Sequence, residues 1–233
     1  MEPSIIISTK WVNPFFYFFF NYANMDTNPC DGSFINYNLN KIIAFLLLLL
    51  LSPLFLLISL AIKITMDGNV FFKQRRVGKN DKLFDIYKFR TMISNAEKST
   101  GHTLSWEGDP RITTFGKFLR KSHFDELPQL INIIKGEMTF IGPRPERPEF
   151  TEVYDKKISN YSKRHQVLPG VTGLSQILCE YNVHVEEKLK YDLLYISYSK
   201  NYIINILILI YTIKKIIFLK PTANIIQKIK QTD

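Results

Sequence analysis

KSHFDELPQLINIIKGEMTFIGPRP, Lys121 to Pro145, sets two adjacent carboxylates, Asp125 and Glu126, at the start of a short amphipathic helix. Leu127, Leu130, Ile131 and Ile134 follow the i, i+3, i+4, i+7 spacing of one buried helical face. Pro128 is tolerated in a first turn, where backbone N–H groups have no intrahelical partner. Lys135-Gly136 supplies the stop. Free N–H groups and the helix dipole make such a terminus attractive to phosphate. With Arg120 just before the acids and Arg144 in a proline-locked loop after them, the cluster fits metal-assisted phosphate chemistry. The plainer reading of any one residue is an acidic helical turn with surface arginines nearby; the combination is harder to explain that way.

At 233 residues the chain is long enough for one domain with a sizeable core, plus appendages. A formal charge of +9 and a pI near 9.4 imply an anionic partner: nucleic acid, phospholipid headgroups or phosphorylated substrates. The two cysteines, Cys30 and Cys179, are too few for a disulfide framework. His102, His123, His165 and His184 are scattered, without zinc-type spacing, and read as ordinary surface or loop residues. No internal repeat is visible.

Residues 1–40 form a leader to which no role is assigned, aromatic from Phe15 to Phe20 and then polar. Its apolar patch is short and lacks a cleavage site, which reads against a signal peptide; Met25 is an alternative start. Ile42 to Ile62 carries no charge and as a straight helix would rise about 30 Å, one hydrocarbon thickness. Residues 41–66 therefore read as a membrane segment. Pro53 cannot donate to the Leu49 carbonyl and crowds it, so a bend is expected at Ser52-Pro53, with the Ser52 hydroxyl able to bond the freed carbonyl. Two half-helices re-entering one leaflet and a kinked spanning helix satisfy these residues equally, and Lys41 and Lys63 flank the segment too symmetrically to choose.

Residues 67–200 read as a folded domain. Val70 to Met92 has hairpin chemistry, with a turn at Gly78–Asp81; on its second strand Phe84, Ile86, Lys88 and Arg90 share one face. That basic face suits a solvated edge strand or bound phosphates. Residues 94–110 read as a loop, 111–122 as a helix with Phe115, Phe118 and Leu119 inward, and 150–162 as another. Pro169–Gly173 reads as a tight turn. In 186–199 a helix is expected with Leu189, Leu193 and Ile196 on one side and Asp192 nearby. Residues 201–233 read as an amphipathic segment lying on a membrane plane, interrupted at Asn205.

Together the Ser-Pro break, VFFKQRRVGKN, KFRTM, FLRKSHFDELPQLINIIKGEMTFIGPRP and LPGVTGLSQ, in this order from about Lys41 to Lys220, resemble the bacterial sugar transferase family, the monotopic phosphoglycosyl transferases. The resemblance implies an α/β, mostly helical fold with a small β-hairpin, a re-entrant helix bent at Ser52 and Pro53, and interfacial C-terminal helices. It implies work at the cytoplasmic face of the bacterial inner membrane. The implied partners are a UDP-sugar, undecaprenyl phosphate and inner-membrane lipid, with no nucleic acid, and it leaves room for a homodimer. A sugar 1-phosphate would pass to the polyprenyl phosphate with release of UMP.

The implied mechanism is ping-pong, with Asp125 the nucleophile that carries the phosphosugar. Glu126 would hold Mg²⁺, a hard ion that takes oxygen ligands and shares them with substrate phosphates. Arg120 and Arg144 would clamp phosphate oxygens. Lys88 and Arg90 would sit near the site, and Asp192 matches a carboxylate that the family places before its last amphipathic stretch. His123, Cys179 and the residues Asn38 to Lys41 depart from the family pattern, but none of them touches the dyad. The competing readings are a membrane-anchored basic module binding anionic lipid or nucleic acid, a scaffold with a dead site, and a lipid pyrophosphate hydrolase.

Overall fold

The computed structural model describes residues 37–94, 96, 103, 105–106, 108–179 and 183–218. Most of the leader, including Cys30, and the tail from residue 219 lie outside them, as does His102. Helices are numbered here among the described residues.

Helix α1, Tyr37–Leu50, and helix α2, Ser52–Thr65, meet at a 62° bend. Pro53 withholds an N–H at this point, and Ser52 Oγ donates to the Leu49 carbonyl at 2.7 Å in its place. No single described helix is long and apolar enough to cross a membrane; the bent pair meets that test of length and composition together. Ile42, Phe45, Leu46, Leu49 and Leu50 of α1 and Leu56, Leu57, Leu60 and Ile64 of α2 are exposed. So wide an apolar surface is uncommon on a soluble monomer.

The opposite faces of the two helices enter different cores. Strands β1, Phe71–Val77, and β2, Leu83–Phe89, form the expected antiparallel hairpin. Ala44 of α1 packs with Phe84 and Ile86 of β2 and with Leu130, Ile133 and Met138. Ile58, Ile62 and Met66 pack with Phe89 and with Leu119 of helix α3, Thr114–Lys121. Thr113 caps α3 by accepting from the Gly116 N–H at 2.9 Å. The helix lies so close to the strand end that a Cβ on Gly116 would fall 1.9 Å from the Thr91 carbonyl oxygen.

The central stretch is not one helix. A 3₁₀ turn, Phe124–Glu126, carries the two acids, and α4, Gln129–Lys135, follows with Pro128 as its N-cap. Gly136 closes α4 in the left-handed conformation at φ 79°. The buried positions of α4 are Gln129, Leu130, Asn132 and Ile133; of the expected face, Leu130 is buried and Leu127 and Ile134 pack half-buried against the cores, whereas Ile131 belongs to neither.

Beyond α4 come β3, Thr139–Ile141, helix α5, Pro148–Lys157, and a 3₁₀ segment, Tyr161–Gln166. Pro169–Gly173 is not a free turn. Gly170–Thr172 forms β4, which pairs parallel with β3, Thr139 opposite Gly170 and Ile141 opposite Thr172. The approach needs glycine: a Cβ on Gly170 would lie 2.0 Å from the Gly142 nitrogen. Helices α6, Leu174–Leu178, α7, Val185–Tyr198, and α8, Tyr202–Phe218, complete the described chain.

On α7 the buried side chains are Leu189, Asp192 and Tyr195, with Ile196 half-buried against the same core as Tyr195; Leu193 is not part of that core. Nor does Asn205 break α8. It is buried, its amide donating to the Ser199 and Asn201 carbonyls at 2.8 Å each and accepting from the Tyr195 hydroxyl at 3.2 Å. A polar residue read as an interruption is instead the joint between α7 and α8. Ile204 and Ile208 pack onto Ile141, Leu174 and Tyr195, each burial contributing about 1.5–3 kcal/mol. Ile206, Ile210, Ile213 and Ile216 remain exposed along α8.

Replacing Gly116 with alanine forces the Thr91 backbone away from α3, and overpacking of this kind costs typically about 1–3 kcal/mol. Thermal unfolding of the detergent-solubilised variant is expected at lower temperature than the parent; an unchanged midpoint would show that the contact yields freely.

Candidate active site

The 3₁₀ turn that follows His123, itself left-handed at φ 58°, turns Asp125 inward, where it is 8% exposed. Glu126 points to the adjoining side and meets two cations. Lys88 Nζ donates to its Oε1 at 2.7 Å, and Arg144 Nη2 donates to the same oxygen at 2.6 Å. Glu126 Oε2 has only a long 3.5 Å contact, from Arg144 Nη1. Lys88 comes from β2 and Arg144 from the loop after β3, so one carboxylate gathers three parts of the fold.

Electrostatics separate the two acids. Burial pushes the Asp125 carboxyl above the usual range; Lys88 opposes this, Glu126 adds to it, and Arg120 and His123 act downward. Burial would raise Glu126 too, but Arg144 and Lys88 outweigh it and hold that carboxyl well below its ordinary value. Glu126 in turn keeps Arg144 charged. Burial lowers Lys88, with Glu126 opposing. The Arg144 side chain stays 41% exposed, open to an incoming anion, whereas Glu126 is 14% exposed.

The Arg144 loop is held from both sides. Arg76 Nη1 donates to the Pro145 carbonyl at 3.0 Å and the Val77 N–H to that of Glu146 at 2.9 Å, tying the loop to the hairpin. From the other side, Arg164 Nη2 donates to the Arg144 carbonyl at 2.8 Å and to Asp192 Oδ2 at 2.7 Å. Asp192, 2% exposed, also accepts from Ser175 Oγ at 2.6 Å, and Arg164 Nη1 reaches the Tyr161 hydroxyl at 2.7 Å. Asp192 thus reaches the site through Arg164. Sequence reasoning missed Arg164, which sits in the run Lys163-Arg164-His165 and looks solvated there. The available signal was Asp192 itself, a carboxylate in phase with Leu189 and Tyr195, which requires a buried cation.

Two other expected site residues stand further back. Arg120 braces the loop before α3, its Nε donating to Thr91 Oγ1 at 2.8 Å and its Nη1 to Ser105 Oγ at 3.1 Å. Arg90 lies past the end of β2 and bonds the Asp67 carbonyl at 2.9 Å and Ser94 Oγ at 3.2 Å, at the exit from α2. Its backbone still pairs with Val70, but the Arg90 guanidinium turns to the α2 exit while Lys88 reaches Glu126.

Among the described residues no three His, Cys, Asp or Glu side chains gather into a metal cage. The lightly engaged Oε2 of Glu126 nevertheless suits Mg²⁺, which binds one or two carboxylates and takes its remaining oxygens from water and phosphates.

Residues 32–219 match the family model described as bacterial sugar transferase. A UDP-N-acetylgalactosamine-undecaprenyl-phosphate N-acetylgalactosaminephosphotransferase of Aeromonas hydrophila is 39% identical over 188 residues, covering 79% of this chain and 44% of the relative. A UDP-glucose:undecaprenyl-phosphate glucose-1-phosphate transferase of Xanthomonas campestris pv. campestris is 42% identical over 138 residues, covering 59% of this chain and 28% of the relative. The exopolysaccharide production protein ExoY of Sinorhizobium fredii (strain NBRC 101917 / NGR234) is 36% identical over 180 residues, covering 71% and 78%. The chain therefore spans less than half the length of the first two and most of the third.

Truncating Arg164 to alanine strands the buried Asp192 charge, a loss of about 3–5 kcal/mol, while Arg75→Ala, which breaks the exposed pair with Asp85, costs about 0–1 kcal/mol. Denaturant unfolding of both variants measures the difference, and equal effects would show that the Arg164–Asp192 pair is not desolvated.

Proposed function

Because the chain belongs to the bacterial sugar transferase family, we propose that it moves a sugar 1-phosphate from a UDP-sugar to undecaprenyl phosphate and releases UMP, at the start of exopolysaccharide or related glycan assembly. The observation that carries this reading is the pair of unlike carboxylates: a buried Asp125 beside a Glu126 fixed between Lys88 and Arg144.

In the first half-reaction a carboxylate oxygen of Asp125 attacks the sugar-bearing phosphorus. An O–P bond forms there, the bond to the bridging oxygen breaks, and the electron pair leaves with UMP. In the second, a phosphate oxygen of the lipid acceptor attacks the same phosphorus and the Asp125 oxygen departs, restoring the carboxylate. Arg144, charged and partly open, receives phosphate oxygens. Glu126 holds Arg144 and Lys88 in place for that contact. With both acids ionised the four groups balance, so Mg²⁺ held by Glu126 would supply the charge that offsets an incoming diphosphate.

The bend at Ser52, the exposed apolar flanks of α1 and α2 and the exposed isoleucines of α8 support a re-entrant pair and an interfacial helix in the cytoplasmic leaflet of the inner membrane. Such seating brings Asp125 within reach of a lipid-borne phosphate, since Phe124 and Leu127, on either side of the dyad, pack against the core that α2 enters.

Incubated with its UDP-sugar and no lipid acceptor, the protein is expected to gain the mass of one phosphosugar on Asp125, and Asp125→Asn to gain none while turnover falls on the order of 10⁴-fold or more. An adduct on another residue, or no adduct with any of a panel of UDP-sugars, overturns the proposal. Lipid binding without UMP release would leave a non-catalytic anchor. For topology, Cys30, on the N-terminal side of α1, is expected to react with a membrane-impermeant maleimide only after the inner membrane is opened. Labelling from the periplasm would establish a spanning helix.

A further inference from the structure

Asn132 lies fully buried in the middle of α4, next to Ile133, which belongs to the apolar core with Phe84 and Ile86 of β2. Both of its amide hydrogens and its oxygen are engaged. Oδ1 accepts from the Tyr87 backbone N–H at 3.0 Å, and Nδ2 donates to the Asp85 carbonyl at 2.7 Å and to Glu137 Oε2 at 2.7 Å. Its backbone carbonyl accepts from the Glu137 N–H at 3.0 Å.

The geometry of the hairpin gives these bonds their meaning. Val70 and Arg90 form a hydrogen-bonded pair, since the Arg90 N–H donates to Val70. Along antiparallel strands such pairs alternate, so Asp85 and Tyr87, opposite Arg75 and Lys73, turn their N–H and C=O groups away from β1. Those outward groups are the ones the Asn132 amide takes. Like a backbone residue, a side-chain amide offers an acceptor oxygen beside an N–H donor, so with Oδ1 and one Nδ2 hydrogen Asn132 acts as a single residue of a third strand, the second hydrogen going to Glu137. An apolar residue at this position would leave both groups of β2 unmatched in the core.

Tyr87 is the residue before Lys88, and Lys88 reaches across to Glu126 on the segment leading into α4. Asn132 therefore fixes the same two elements, β2 and α4, between which the Lys88–Glu126 bond must close. Resting on the function proposed above, we infer that Asn132 is a positioning residue for the phosphoryl transfer: it holds β2 in register with α4 so that Lys88 meets Glu126 and leaves Arg144 aimed at the donor phosphates. Asn132 touches no substrate itself and acts through Lys88. Glu137 belongs to the same device, ion-paired with Lys135 at 3.2 Å while accepting from Asn132.

The test measures the rate of phosphosugar adduct formation from UDP-sugar, per folded molecule, by intact-protein mass spectrometry. Asn132→Ala, with Asn132→Ser as the milder variant should the first fold poorly, is expected to slow the step by about 10- to 100-fold with little change in the donor concentration for half-maximal rate. Ile208→Ala, a core truncation remote from β2, controls for lost stability and is expected to keep the parent rate once corrected for the folded fraction. In a Lys88→Met background the Asn132 substitution is expected to change the rate by no more than about twofold, because the group it positions is gone. A parent-like rate for both Asn132 variants, or an equal loss with and without Lys88, overturns the inference. A second arm reads geometry without turnover: the Tyr87 amide is expected to lose hydrogen-exchange protection and the Lys88 ammonium resonance to lose its bonded signature in Asn132→Ala. Retention of both refutes the positioning role even if the parent forms no adduct, an outcome that would instead fall on the proposed function.

Discussion

Two cations from distant parts of the chain converge on a single carboxylate oxygen, Glu126 Oε1, and much of the fold serves to bring them there. Taking Lys88 and Glu126 out of water is unfavourable, and their attraction offsets that only if the geometry is held closely. The supports are accordingly numerous. Asn132 ties β2 to α4, Arg76 and Val77 tie the hairpin to the loop of Arg144, and Arg164 holds the same loop from below while neutralising Asp192. A chain of charge-assisted bonds thus runs from α7 to the dyad without a break in burial until Arg144, which opens to solvent.

The same arrangement gives the two acids different environments despite their adjacency. A three-residue turn points neighbouring side chains in different directions, so Asp125 goes into the interior while Glu126 faces its cations. In a continuous α-helix starting at these residues both would have lain on the first turn as similar surface carboxylates. The 3₁₀ turn and the left-handed His123 before it therefore belong to the function as much as to the fold.

The bent helix pair is built into the domain rather than appended to it. Its inner faces complete two cores, one around Phe84, Ile133 and Met138 and the other around Phe89 and Leu119, and Lys88 lies on β2 between Phe84 and Phe89. The outer faces keep their leucines and isoleucines exposed. Those faces are connected to the site through packed side chains.

The residues alone determined the broken apolar segment, the hairpin, the acid pair and the proline-locked Arg144, because each is written in neighbours: an uncharged run, a Ser-Pro step, alternation about a turn, residues one to three apart. The family motifs carried the assignment of roles further than spacing did. What folding in three dimensions decided lies between residues far apart in the chain: Lys88 with Glu126 across 38 positions, Arg164 with Asp192 across 28, Asn132 with Tyr87 across 45, and the parallel pairing of β3 with β4. Local periodicity sets which side of an element a residue occupies and says nothing of which element will face it. For that reason Asn205 looks like an interruption when read along the sequence, Asn132 draws no notice, and Asp192 shows no partner. Only in the packed structure do their partners arrive, and each becomes a joint between two elements.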